Sequence, residues 1–356
     1  GLAQVYMEMG NYREVEKLLE SAYDINKRKL GESNPATIKV MQEQANYYRL
    51  TGNYDKALVL IGKVLNYKSG IYGENHPSYI QALEDMALIY WGKGSISDAK
   101  EAYTKVLGDT RNYIATYFNT LNENEKNVYW DKTRNRIQRF YSFAYSNYAA
   151  HPELINQMLN TIIATKGFLL NGSSKLRNTI MQSDDAELKK TYKKWLDTKE
   201  NLNSAYQLSK EELAQEKINL DSLQKKADEY ERILSKKSSL FNDNKAVTIS
   251  KYDTIQKLLG ATEAAVEIVQ VNEFKNTFTG YSNYIALILD KKGIMVKDIG
   301  RDEIIDTAIA TFRTKIIDQQ TPIDIYPVVW QSIDSALISK TKVYLSLDGA
   351  FHQLSI

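Results

Sequence analysis

Small and aromatic positions in the first third of the chain recur with a step of 42 residues. Ala3, Ala45 and Ala87 share that step, and so do Tyr6, Tyr48 and Tyr90. Gly10-Asn11-Tyr12 returns as Gly52-Asn53-Tyr54, and Gly94-Ser95-Ile96 fills the slot again. Gly31-Glu32-Ser33-Asn34-Pro35 maps onto Gly73-Glu74-Asn75-His76-Pro77 at the same interval. Several residue types repeating in register predict a solenoid. Each unit reads as two helices around a Gly-centred turn, the second helix carrying Ala57 or Ala99. Alanine and glycine let the helices approach, and tyrosine fills the space beside them. The first unit lacks most of its leading helix, so the array is expected to begin upstream of Gly1.

The apolar period stays helical from Thr110 to Leu170, with an unusual share of aromatic residues. Asn122 is the expected N-cap of one helix there, and His151-Pro152 marks a break. Neither Gly nor Pro interrupts residues 173–259. Within that stretch Leu188, Tyr192, Trp195, Leu202, Tyr206, Leu213, Leu220, Leu223, Ala227, Tyr230 and Leu234 follow a 4/3 seam, the heptad pattern. One straight helix of about 50 residues would reach about 75 Å. An antiparallel hairpin turning near Leu208-Ser209 is preferred, although the pattern allows either.

After Asn242-Asp243-Asn244 the period changes. Ala246–Ile249 is short and β-prone, and a helix is expected from Ser250 or Asp253 to a C-cap at Gly260. Ala264–Val271, Asn283–Asp290 and Gly293–Ile299 read as strands. Helices follow at Arg301–Ile317 and around Ile325–Ser339. Val343, Leu345 and Leu347 then alternate with Tyr344 and Ser346 in a closing strand, and Asp348-Gly349 turns the backbone. Strands alternating with helices predict a partly parallel sheet. A strand such as this last one normally has neighbours on both sides, so the polypeptide is expected to continue past Ile356.

Composition narrows the chemistry. The 356 residues are 43% hydrophobic and 25% charged, with a net charge of +2, which gives no electrostatic reason to expect nucleic acid or an anionic membrane. No apolar run approaches the roughly 18 residues of a membrane span. The chain starts Gly1-Leu2-Ala3 without Met. A cytoplasmic setting is expected, with the possibility of a lost leader left open. Cysteine is absent, so these residues hold no disulfide, thiolate metal site or cysteine nucleophile. With three histidines in the chain, no His-based metal site is expected, and no cofactor.

The repeats resemble the tetratricopeptide repeat, in a long form whose connection ends in Asn-Pro or His-Pro. The resemblance covers about residues 1–108 and implies a superhelix whose concave face binds a peptide or protein partner. With Ala45 and Tyr48 in the packing interface, Gln42, Asn46 and Arg49 share another helix face. Their equivalents 42 residues on are Glu84, Leu88 and Trp91. These six are the candidate partner-binding residues, an exposed Trp91 being the strongest argument among them. Simple solvation is the competing reading.

The order of later motifs carries a second resemblance. Lys166-Gly167-Phe168-Leu169-Leu170-Asn171 precedes the charged heptad segment. Glu263-Ala264-Ala265-Val266-Glu267 and Tyr284-Ile285-Ala286-Leu287-Ile288 enter strands. Val329-Trp330 opens a helix, and Tyr344-Leu345-Ser346-Leu347-Asp348-Gly349 closes the series. This series is similar to the CHAT domain, a caspase-like peptidase domain related to separase and commonly fused behind tetratricopeptide repeats. The resemblance implies a mainly α chain followed by an incomplete α/β caspase-like domain. Its expected segments are repeats at 1–108, a helical connector at 109–183, a heptad-patterned hairpin at 184–241 and the N-terminal part of the CHAT domain at 242–356. It implies a His/Cys dyad later than Ile356, and hence no catalytic residue here. It assigns structural roles to His352 and Asp348. A non-enzymatic scaffold with an inactive CHAT-like domain is the alternative.

Overall fold

The computed structural model describes residues 1–117, 123–205, 215, 217–241 and 251–354. The expected N-cap Asn122, the turn at Leu208-Ser209 and the strand at Ala246–Ile249 lie outside the described residues.

Six helices pair along the repeats: α1 Leu2–Glu8, α2 Val15–Leu30, α3 Pro35–Leu50, α4 Tyr54–Tyr72, α5 Pro77–Lys93 and α6 Ile96–Tyr117. The 42-residue slots have local causes. Asn34 caps α3 by accepting from the Ala36 amide at 2.9 Å, and His76 caps α5 by accepting from Ser78 at 3.1 Å, each with Pro at the first helical position. Gly52 and Gly94 leave the lead helices at φ 79° and 84°, a conformation that a β-carbon disfavours. Ala45, Ala57, Ala87 and Ala99 are fully buried where the helices meet.

Helices α7 Glu123–Asn147, α8 Glu153–Gln182, α9 Ala186–Ala205, α10 Leu220–Phe241 and the short α11 Tyr252–Leu258 follow. The chain divides into two compact units. One comprises residues 1–109, 136–160 and 252–356, and the other residues 110–135 and 161–251. In the second unit α9 packs on α10, with Leu188 and Leu234 buried together with Ile180, and Tyr192 stacked on Trp195 at 5.6 Å.

In the first unit the last hundred residues form a four-stranded mixed sheet with helices. Its strands are β1 Glu263–Lys275, β2 Thr277–Asp290, β3 Gly293–Arg301 and β4 Lys342–Ser346, in the order β3-β2-β1-β4. β1 pairs antiparallel with β2 and parallel with β4, and β2 pairs antiparallel with β3. β4 lies at an edge, with β1 as its neighbour among the described residues. One face buries Ala264, Val266, Ile268, Tyr284, Ala286 and Ile288 under helices α12 Asp302–Ile317, α13 Tyr326–Val329 and α14 Gln331–Leu337. Ile285, Leu287 and Leu289 are buried on the other face, the pattern of a sheet covered on both sides.

Two expectations change in detail. The helix expected around 325–339 is broken at Trp330, whose φ of −130° ends α13 before α14 begins. Strands β1 and β2 run well past their apolar cores. Residues 272–282, which have no clean alternation, form the far end of one long hairpin turned at Asn276, where φ is 64°.

Candidate protein-interaction site

Helices α3 and α5 lead successive repeats, so residues 42 apart in sequence stand side by side. Gln42 donates to an Asp85 carboxylate oxygen and accepts from Lys68 at 2.6 Å, and Gln81 donates to the other Asp85 oxygen at 3.2 Å. Burial raises the Asp85 carboxyl against the hydrogen bonds of Gln42 and Gln81. Burial likewise lowers the Lys68 ammonium.

Glu84 is fully buried, and each of its oxygens is taken by an arginine of α7: Arg139 at 2.6 Å and Arg136 at 3.0 Å. Burial alone would raise the Glu84 carboxyl, but Arg139 and Arg136 hold it below the ordinary glutamate range. Arg49 is 6% exposed. Its Nε and one terminal nitrogen donate to Asn46 Oδ1 at 3.2 and 2.8 Å, and its other terminal nitrogen donates to the Asn276 carbonyl at 3.0 Å.

Gln42, Asn46, Arg49 and Leu88 line one cleft of about 1020 Å³, closed on its far side by Phe274, Asn276 and Phe278 of the β1–β2 hairpin. Glu84 is not among its lining residues and is held by α7. Trp91 is half-buried rather than exposed. It stacks on Phe274 with ring centres 5.6 Å apart and meets Phe143 edge-on at 5.3 Å. The expectation of an exposed ring fails because a segment almost two hundred residues later covers it.

Sequence reasoning did not find Lys68, Gln81, Asp85, Arg136, Arg139 or the hairpin tip. Gln81 and Asp85 had a usable signal, since they lie four residues apart on one lead helix and so share a face. The contributions of α7 and the hairpin come from distant segments that no local pattern links to the repeats.

The closing turn is built as a structural corner. Asp348 accepts from Gly349 N at 2.9 Å and from Gln270 N at 3.1 Å. Tyr284 donates to Asp306 at 3.0 Å and accepts from Ala350 N at 2.9 Å, and burial drives its phenol upward. His352 is exposed. Among the described residues no group of His, Cys, Asp and Glu is arranged to hold a metal ion, and no helix is long and apolar enough to cross a membrane.

No curated protein matches this chain. Among solved structures, it is similar to a candidate kinesin light chain of Podosopora anserina with nearly identical TPR-like repeats. The identity is 18% over 67% of this chain and 93% of that one, with a TM-score of 0.34. BtubC (BKLC) from P. vanneervenii matches at 15% identity over 68% of this chain and 80% of that one, with a TM-score of 0.35. The sequence profile of the tetratricopeptide repeat matches residues 1–68 and 42–112. Residues 1–112 of this chain are tetratricopeptide repeats.

Proposed function

We propose that the repeats recruit a protein partner through the cleft lined by Gln42, Asn46, Arg49 and Leu88, on behalf of a caspase-like α/β region of the CHAT type. The observation that carries the recruiting role is the cleft itself. Four of the six candidate residues converge on it, and the tip of β1–β2, which forms its far wall, is held against the repeats by a hydrogen bond from Arg49 to a main-chain carbonyl and by the stacking of Phe274 on the neighbouring Trp91. These are the contacts with which repeat grooves take extended or turned peptides.

The CHAT reading rests on the order of motifs from Lys166 to Gly349. A β-strand turning at Asp348-Gly349 beside a parallel neighbour is compatible with it. A peptidase of that class works by thiolate attack on a peptide carbonyl, with a histidine as base and backbone amides stabilising the oxyanion. The sequence contains no cysteine, so any such chemistry belongs to residues other than these.

A photoreactive amino acid in place of Asn46 tests the recruiting role. It should capture a discrete protein partner, and Arg49→Glu should abolish the capture. Capture indifferent to Arg49 would remove the cleft from consideration.

A further inference from the structure

Beyond its apolar core the β1–β2 hairpin leaves the sheet behind. β4 accompanies β1 only as far as Glu267, and β3 accompanies β2 only from Asn283 onward. The distal part is a two-stranded ribbon, which is marginal in water by itself. Its register shifts between Asn272 and Phe274. What steadies it is the lead helices α3 and α5 of the repeats together with α7. Trp91 stacks on Phe274, the Arg139 guanidinium lies 5.9 Å from the centre of the Phe278 ring, and the two phenylalanines meet edge to face at 5.3 Å.

Main-chain groups are read as well. Gln138 donates to the Gln270 carbonyl and accepts from Asn272 N, each at 3.1 Å, as a neighbouring strand would. Ser142 accepts from Phe274 N at 3.1 Å. At the apex, among the described residues, the buried Arg49 donates its hydrogen bonds to neutral oxygens, one of them the Asn276 carbonyl. Lys275, Thr279 and Gly280 are exposed, as are Asn276 and Thr277, which also line the cleft. The tip is held through Phe274, Phe278 and the Asn276 carbonyl, and it lines the same cleft as Asn46 and Leu88.

We infer that the hairpin tip is a cis-acting occupant of a docking surface, and that the partner presents an aromatic turn of the same chemistry. That chemistry is two aromatic rings flanking a polar apex whose carbonyl meets Arg49. Partner and tip exclude one another. The inference rests on the recruiting role proposed above and specifies what is recruited. A tethered occupant acts at an effective concentration on the order of millimolar, so the partner must outcompete the tip or meet the repeats while the tip is withdrawn.

The probe is a labelled, cyclised peptide of residues 272–280, titrated into the full chain and into the Phe274→Ser/Phe278→Ser double variant. The double variant should bind it at least about tenfold more tightly, and adding Trp91→Ala should remove that binding. Equal binding to both proteins, binding to neither, or binding indifferent to Trp91 would overturn the inference. A mixed dimer of wild-type and double-variant chains would also overturn it, by making a second copy the occupant. Hydrogen exchange on the unaltered chain gives a test independent of the variant's folding. Amides of 272–280 should exchange about 100-fold faster than those of 285–289, and equal protection of the two segments means a fixed tip. The two ideas fail separately. The peptide reports what the surface recognises, whereas crosslinking from position 46 reports whether a natural partner uses it.

Discussion

Glu84 is inaccessible to solvent and each of its oxygens is held by an arginine from α7. Removing one charge from such a group leaves the others desolvated. Glu84→Gln should therefore cost about 3–5 kcal/mol of stability, measured by urea unfolding at neutral pH. The sign of the pH dependence follows from the lowered carboxyl. A group whose folded-state pKa is depressed stabilises the fold above its unfolded pKa, and that stability is lost as pH falls through the folded value. The gap between wild type and Glu84→Gln should thus be full near neutrality and shrink in acid, below the ordinary glutamate range. A gap constant with pH would mean that the arginines do not depend on the Glu84 charge. Gly349 makes a smaller, steric case. At φ 56° a β-carbon is disfavoured, and there it would also run into the Tyr284 hydroxyl. Gly349→Ala should cost at least about 1–2 kcal/mol and disturb the Tyr284–Ala350 hydrogen bond, which near-ultraviolet circular dichroism would register.

Between elements, two kinds of contact respond differently to substitution. Ala45 is fully buried where the repeat helices approach, so Ala45→Leu should overpack them at a cost of about 1–3 kcal/mol. An exposed groove residue at position 91 could be lost with little effect on stability. Stacked on Phe274, Trp91 should instead lower the melting temperature when changed to Ala, and the loss should be largely absent in a Phe274→Ser background. Additive losses in the double-mutant cycle would deny the coupling. The same contrast explains what was legible. Repeat helices could be read because each slot, Gly52 or Pro77 for example, answers a local backbone demand that recurs at a fixed step. The cores of β1 and β2 could be read because Val266, Ile268, Val269 and Val271 crowd one short segment and Ile285–Leu289 is an unbroken apolar run. The distal hairpin could not, because Asn272–Thr277 has no alternation and is held by Gln138, Ser142 and Arg49 from far away in the chain. Glu84 was assigned to the groove from its position alone. Its burial is decided by Arg136 and Arg139, in a helix that the repeat period does not reach.

At the scale of the whole molecule, a tetratricopeptide-repeat array and a mixed α/β sheet belong to one compact unit, joined through the hairpin that contributes two strands to the sheet and its tip to the cleft. These residues carry no thiol, so by themselves they cannot make the thiolate attack of a CHAT-type peptidase, and peptide substrates of that class should stay intact with the purified chain. Turnover abolished by His352→Ala would overturn both that expectation and the structural role given to His352. The central claim is the proposal that the face of the repeats carrying Asn46 and Arg49 is a recognition surface, with the hairpin tip already held against it. The absence of cysteine makes it directly measurable, because Asn46→Cys/Asn276→Cys gives a chain with two thiols only. Arg49 bonds both residues, which brings them within reach of a short bifunctional thiol reagent. The account predicts rapid, high-yield intramolecular crosslinking that is slowed by added 272–280 peptide. Two thiols that fail to link, or that link only between molecules, would contradict it.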